Sequence, residues 1–177
     1  VADFYYQILN LNNIKVASIG TLGVKSKYFN LRTNNTTLDS ISINKVFQQL
    51  IKKGIENVIL EASSHGLQQN RLDDLKFNTS IFTNFSRDHL DYHKSYKSYL
   101  NSKLLLFKKF TQRGGLVISD RGIKESKILK NISRKKKLKT IFLGKNADLQ
   151  ILDISKFKDL QLVKFKFNNK VYSFTTK

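Results

Sequence analysis

Short apolar runs of four to six residues alternate with longer amphipathic stretches through the first 145 residues, and most runs end in a polar cluster. This alternation constrains the fold more than any other feature. Parallel strands need a crossover long enough to hold a helix, so the pattern predicts an α/β fold: a mostly parallel sheet with flanking helices. Strands are expected at 15–20, 57–62, 79–84, 116–119 and 140–143. Helices are expected at 1–12, 42–53 (closed by Gly54), 94–110 and 123–133. The last thirty residues change character. Runs at 147–154, 161–167 and 171–176, with Asn168 and Asn169 as a turn, predict a small antiparallel addition at the sheet edge.

Composition narrows the function classes. A chain of 177 residues has room for one domain with a self-sufficient core. It has no Cys, which excludes disulfides, thiolate metal sites and a Cys nucleophile. No apolar run reaches membrane-spanning length and no signal segment opens the chain, so a cytoplasmic location is expected. There is also no Met and no Pro, and the first helical pattern, Phe4, Ile8 and Leu11, has no capping residue before it. An internal piece of a longer protein is the expectation.

The net charge of +19 is unevenly spread. Residues 1–92 hold 10 Lys and Arg against 8 Asp and Glu, whereas residues 93–177 hold 22 against 5. A basic module for nucleic acid is one reading of that excess. Codon drift in an AT-rich genome is the other, because 26 of the 32 basic residues are Lys and Asn and Ile are abundant.

In open α/β sheets the ligand crevice lies beyond the carboxyl ends of the strands. Three polar segments fall there: Asn35-Thr36-Thr37, the stretch from Glu61 to Arg71, and the stretch from Asn84 to His93. Glu61, at a strand end, suits a phosphate-bound magnesium ion, or equally a solvated strand terminus. His89 and His93 are four residues apart, a spacing shared by metal ligands and by surface residues. Ser63-Ser64-His65 lacks the glycine frame of a nucleophile elbow, which argues against a hydrolase. Arg71 and Arg87 could grip phosphate or carboxylate, or equally be ordinary surface arginines. Lys103, in the apolar SKLLLF stretch, could snorkel, pair with an acid or carry a modification.

Taken together, NTT at 35–37, EASSHGLQQNR at 61–71, FTNFSRDHLDYH at 82–93 and SYLNSKLLLF at 98–107 resemble the central domain of the Mur ligases. The branch they resemble adds the third residue of the cell-wall peptide, using ATP and Mg2+. The resemblance implies that Asn35, Thr36, Thr37, Ser63, Gln69 and Arg71 contact UDP-N-acetylmuramoyl-L-alanyl-D-glutamate. It implies Glu61, His89 and a carboxylated Lys103 as magnesium ligands, with Lys103 and His89 in the catalytic set. The incoming partner would be meso-diaminopimelate or L-lysine, joined through an acyl phosphate. A monomer is implied, with neither nucleic acid nor membrane as partner. The family's G-T-N-G-K-[ST] phosphate loop is not found in these 177 residues, and Ser119, Asp120 and Arg121 replace its Asn and paired acids. Residues 1–177 are therefore expected to be an incomplete central domain, inactive alone and without the N- and C-terminal domains; a non-catalytic paralogue is the alternative.

Overall fold

A computed structural model describes residues 1–176. The chain forms two compact units: residues 1–75 with 97–106, and residues 76–96 with 107 onward.

The first unit holds α1 (Ala2–Leu11), β1 (Val16–Gly20), β2 (Gly23–Ser26), β3 (Asn30–Leu31), α2 (Ser40–Lys52), β4 (Asn57–Leu60) and α3 (Ser64–Gln68). Its strands run β3-β2-β1-β4; β1 and β4 are parallel, the other pairs antiparallel. Every residue of β1 is buried, as expected for an apolar run inside a sheet. Helix α2 buries Ile43, Val46 and Leu50, whose 3- and 4-residue spacing makes one stripe. Leu50, fully buried, contributes about 2 kcal/mol by leaving water. Asp39 caps α2 by accepting from the Ile41 and Ser42 amides. Helix α1 packs on β1 and β4, yet Phe4, Ile8 and Leu11 are exposed, so the stripe that predicts this helix is not its buried face. The sequence reading did not anticipate β2 and β3, and the predicted loop after Glu61 contains α3.

The second unit holds β5 (Phe77–Phe82), α4 (Leu90–His93), β6 (Thr111–Asp120), α6 (Ser126–Lys136), β7 (Lys139–Leu143), β8 (Leu149–Phe157), β9 (Leu160–Phe167) and β10 (Lys170–Thr176). The order is β10-β9-β8-β7-β6-β5, parallel from β5 to β8 and antiparallel from β8 to β10. The antiparallel addition thus lies at the sheet edge where the tail predicts it. Helix α5 (Tyr96–Leu105), all but its first residue in the first unit, continues into a π-helical stretch, Leu106–Phe110. The helix begins at Tyr96 because Lys94 is left-handed, with φ 61°.

Asn168 and Asn169 are both left-handed (φ 49° and 62°), the conformation of a tight hairpin turn whose twist matches its strands. Within that hairpin Phe165 pairs with Tyr172 and stacks on it at 5.4 Å. Side chains alternate across a strand, so Lys164 and Lys166 point to the opposite face. The Lys-Phe alternation is a hairpin pattern, with Phe165 and Phe167 on one face and Lys164 and Lys166 on the other. The basic run at 134–139, RKKKLK, also has a local role. Arg134, Lys135 and Lys136 occupy the last turn of α6, where the helix dipole favours cations. Lys136 donates to the Thr111 carbonyl at 2.8 Å, and burial, helped by nearby Lys76, pulls its pKa below the usual lysine value. Among the described residues no helix is long and apolar enough to cross a membrane.

Candidate functional site

The parallel register of β1 and β4 pairs Ile19 with Leu60, and the Glu61 amide donates to the Ile19 carbonyl at 2.9 Å. Glu61 is thereby level with Gly20. A Cβ on residue 20 would lie 2.4 Å from Glu61 Oε2, so glycine leaves the room the carboxylate occupies. There Oε2 accepts from the Thr21 amide at 2.8 Å and from the Thr21 hydroxyl at 2.9 Å. The Thr21 and Thr36 hydroxyls are 3.2 Å apart.

Beside this lies a second cluster built on Thr37, which is 1% exposed. Its hydroxyl donates to the Glu61 carbonyl at 2.8 Å and accepts from the Ser63 amide at 2.9 Å. Ser63 Oγ is 3.1 Å from Thr37 Oγ1 and caps α3 by accepting from the Gly66 amide. Gly66 is constrained in turn: a Cβ there would come within 2.7 Å of the Thr37 side chain. Arg71 donates through Nη1 to the Thr37 carbonyl at 2.8 Å and through Nε to Gln69 Oε1 at 2.9 Å. Two of its donor groups therefore brace the loop, and Nη2 is not used in these bonds.

Six of the nine residues that the family resemblance implies, Thr36, Thr37, Glu61, Ser63, Gln69 and Arg71, thus meet in one polar layer of the first unit. Asn35 is exposed beside them, its carbonyl accepting from Thr33 Oγ1. Lys103 belongs to the same unit, half-buried on α5, with Nζ 5.2 Å from the Tyr99 ring centre. Its neighbour Ser102 links α5 towards α3, with Oγ 3.4 Å from Gln68 Oε1. His89 belongs to the second unit. It is exposed and left-handed (φ 53°) at the start of α4, where its amide donates to Asp88 Oδ1. His93, four residues on, is 3% exposed, so the two rings lie in different surroundings and do not form a pair of exposed ligands. Arg87 is exposed.

Sequence reasoning missed Thr21. Its one legible signal is the glycine-bounded turn Gly20-Thr21-Leu22-Gly23, which gives no sign of the Glu61 contact forty residues away. Among the described residues no three His, Cys, Asp or Glu side chains gather into a metal-holding group. The oxygen donors near Glu61 nonetheless suit a hard cation. Thr21 occupies Oε2, leaving Oε1 outside these bonds as a ligand of the kind magnesium takes.

The Mur ligase middle domain matches this chain over residues 1–177. The chain belongs to the Mur ligase family. Its similarity to the UDP-N-acetylmuramoyl-L-alanyl-D-glutamate–2,6-diaminopimelate ligase of Rickettsia bellii (strain RML369-C) is 40% identity over 182 residues, covering 99% of this chain and 38% of that protein. The ligase of the same name from Bradyrhizobium diazoefficiens is 34% identical over 148 residues, covering 84% of this chain and 30% of its own length. The chain therefore spans well under half of the curated relatives it matches. A solved structure of a 2,6-diaminopimelate ligase superposes with a TM-score of 0.84 at 22% identity, over 97% of this chain and 35% of that one. The MurF ligase from Thermotoga maritima in complex with ADP superposes at 0.65 and 14% identity, over 98% of this chain and 36% of that one. At these identities the two superpositions establish the Mur ligase fold.

Proposed function

We propose that this middle domain serves an ATP-dependent ligase joining meso-diaminopimelate, or L-lysine, to UDP-N-acetylmuramoyl-L-alanyl-D-glutamate in the cytoplasm. The observation that carries the reading is the polar layer linking Thr36, Thr37, Glu61, Ser63, Gln69 and Arg71 at the carboxyl edge of β1 and β4. The relatives' shared name supplies the substrates.

In this reading the γ-phosphoryl group of ATP passes to the side-chain carboxylate of the substrate's D-glutamate, and ADP leaves. The amine of the incoming amino acid attacks the acyl carbon, an amide bond forms, phosphate departs and the amine loses a proton. Thr36, Thr37, Ser63, Gln69 and Arg71, with Asn35, hold the muramoyl peptide. Arg71 suits this role because its planar fork binds carboxylate or phosphate through more than one N–H. Glu61 and Lys103 would hold magnesium, Lys103 as a carbamate formed from its amine and carbon dioxide with loss of a proton; His89 is a magnesium ligand only by the family resemblance. When bound, magnesium offsets the charge that develops on the transferred phosphoryl group. Orientation is this layer's own contribution: the Thr37 hydroxyl is bonded to backbone on both sides, and the Ser63 hydroxyl is held between the Gly66 amide and Thr37, so little is left to order when substrate arrives.

Calorimetric titration of the chain with UDP-N-acetylmuramoyl-L-alanyl-D-glutamate tests the reading. Arg71→Ala is expected to weaken binding about ten-fold or more, the scale of a lost charge-assisted hydrogen bond. Equal affinity of variant and parent would remove Arg71 from the substrate site.

A further inference from the structure

We propose that Thr21 is a positioning residue that fixes the Glu61 carboxylate and couples it to Thr36, so that cation binding at Glu61 and substrate binding at the 35–37 loop act on each other. This rests on the magnesium and substrate roles assigned above.

The geometry dictates the direction of the hydrogen bonds. A carboxylate oxygen only accepts, and a threonine hydroxyl has a single proton. Thr21 Oγ1 is 2.9 Å from Glu61 Oε2, so its proton goes to Glu61. The 3.2 Å contact with Thr36 then has Thr36 donating to Thr21. The chain reads Thr36 to Thr21 to Glu61, and the Thr21 amide adds a second bond to the same carboxylate oxygen. Glycine at position 20 supplies the space, since a methyl group there would overlap the Glu61 Cγ, Cδ and Oε2 atoms. Both bonds converge on Oε2, so the side chain is pinned with Oε1 as its remaining ligand atom. A cation drawing charge onto Oε1 weakens Oε2 as an acceptor. That change passes through Thr21 to the Thr36 hydroxyl. By reciprocity, a substrate that reorients Thr36 changes the affinity at Glu61 by the same factor.

Manganese, read by electron paramagnetic resonance, is the probe, with and without UDP-N-acetylmuramoyl-L-alanyl-D-glutamate. The chain is compared with Thr21→Val, Thr21→Ser and Glu61→Gln. Thr21→Val keeps the shape and the amide bond but loses the hydroxyl. It is expected to weaken manganese about ten-fold, the usual scale for losing a ligand's supporting bond, and to abolish the effect of substrate on manganese affinity. Thr21→Ser should restore both, with the melting temperature of all three proteins alike. If Glu61→Gln weakens manganese while Thr21→Val matches the parent, the positioning role is overturned and the magnesium reading stands. If Glu61→Gln matches the parent, or the parent shows no saturable manganese binding, the magnesium reading itself fails. The inference falls with it.

Discussion

Two strand ends of the same kind are held in opposite ways. In the first unit the carboxyl edge of β1 and β4 is fixed by side chains distant in sequence: Thr21 and Glu61 are 40 residues apart, Thr37 and Ser63 are 26 apart, Thr37 and Arg71 are 34 apart. In the second unit the corner after β6 is fixed through backbone groups. Asp120 turns back to accept from the Gly122 amide two residues on, the Arg121 amide joins the Leu143 carbonyl at the end of the adjacent strand, and the Arg121 guanidinium donates to the Asn146 carbonyl. Bonds to backbone shape a corner. Bonds between side chains distant in sequence make the position of each side chain depend on the whole unit, and that suits a site where several groups must meet one ligand. The charge is also uneven along the chain: the basic excess lies in residues 93–177, while most of the candidate residues lie in the nearly neutral 1–92.

The comparison can be sharpened first with two glycines of like backbone and unlike surroundings. Gly23 has φ 85°, and an added Cβ would lie 2.2 Å from the Leu31 carbonyl oxygen; Gly114 has φ 76° with nothing within 4 Å. Gly23→Ala is expected to cost about 3 kcal/mol and Gly114→Ala about 1 kcal/mol in urea denaturation, the difference being backbone that cannot yield. Equal losses would erase the contrast in tightness.

A smaller effect is expected from removing one hydroxyl. Thr37→Val leaves the Glu61 carbonyl and the Ser63 amide without their partner, costing about 2 kcal/mol. Phe174→Ser, on the exposed ring cluster with Phe165, should cost less than about 1 kcal/mol. Thermal melts of both variants check the ranking, and a reversed order would break it.

The smallest effect concerns acid. The Ser42 amide, bonded to the Asp39 carboxylate, holds its pKa below the ordinary value of 3.8. A group whose folded pKa is depressed contributes stability that is complete above its unfolded pKa and is lost as pH falls through the folded one. Asp39→Asn keeps a capping oxygen but cannot titrate. Its stability curve should therefore be flatter than the parent's below about pH 4, in denaturant melts taken across that range.

Much of the fold was legible because period and punctuation are local properties. The buried run at 16–20, the α2 stripe and the Asn168-Asn169 turn each declare themselves within a dozen residues. The π-helical stretch after α5 and the short strands β2 and β3 did not, since neither has a hydrophobic period of its own. Of the site, Glu61, Ser63 and Arg71 were visible as polar residues where an α/β crevice must lie. Their mutual bonds were not.

By itself the sequence determined the α/β class, the antiparallel edge and the family, because composition, periodicity and multi-residue words survive without coordinates. Only the tertiary structure decided which residues touch. The parallel register of β1 with β4 sets Glu61 beside Gly20 and Thr21, and no sequence spacing encodes that neighbour, because strand pairing is chosen by the packing of the whole sheet.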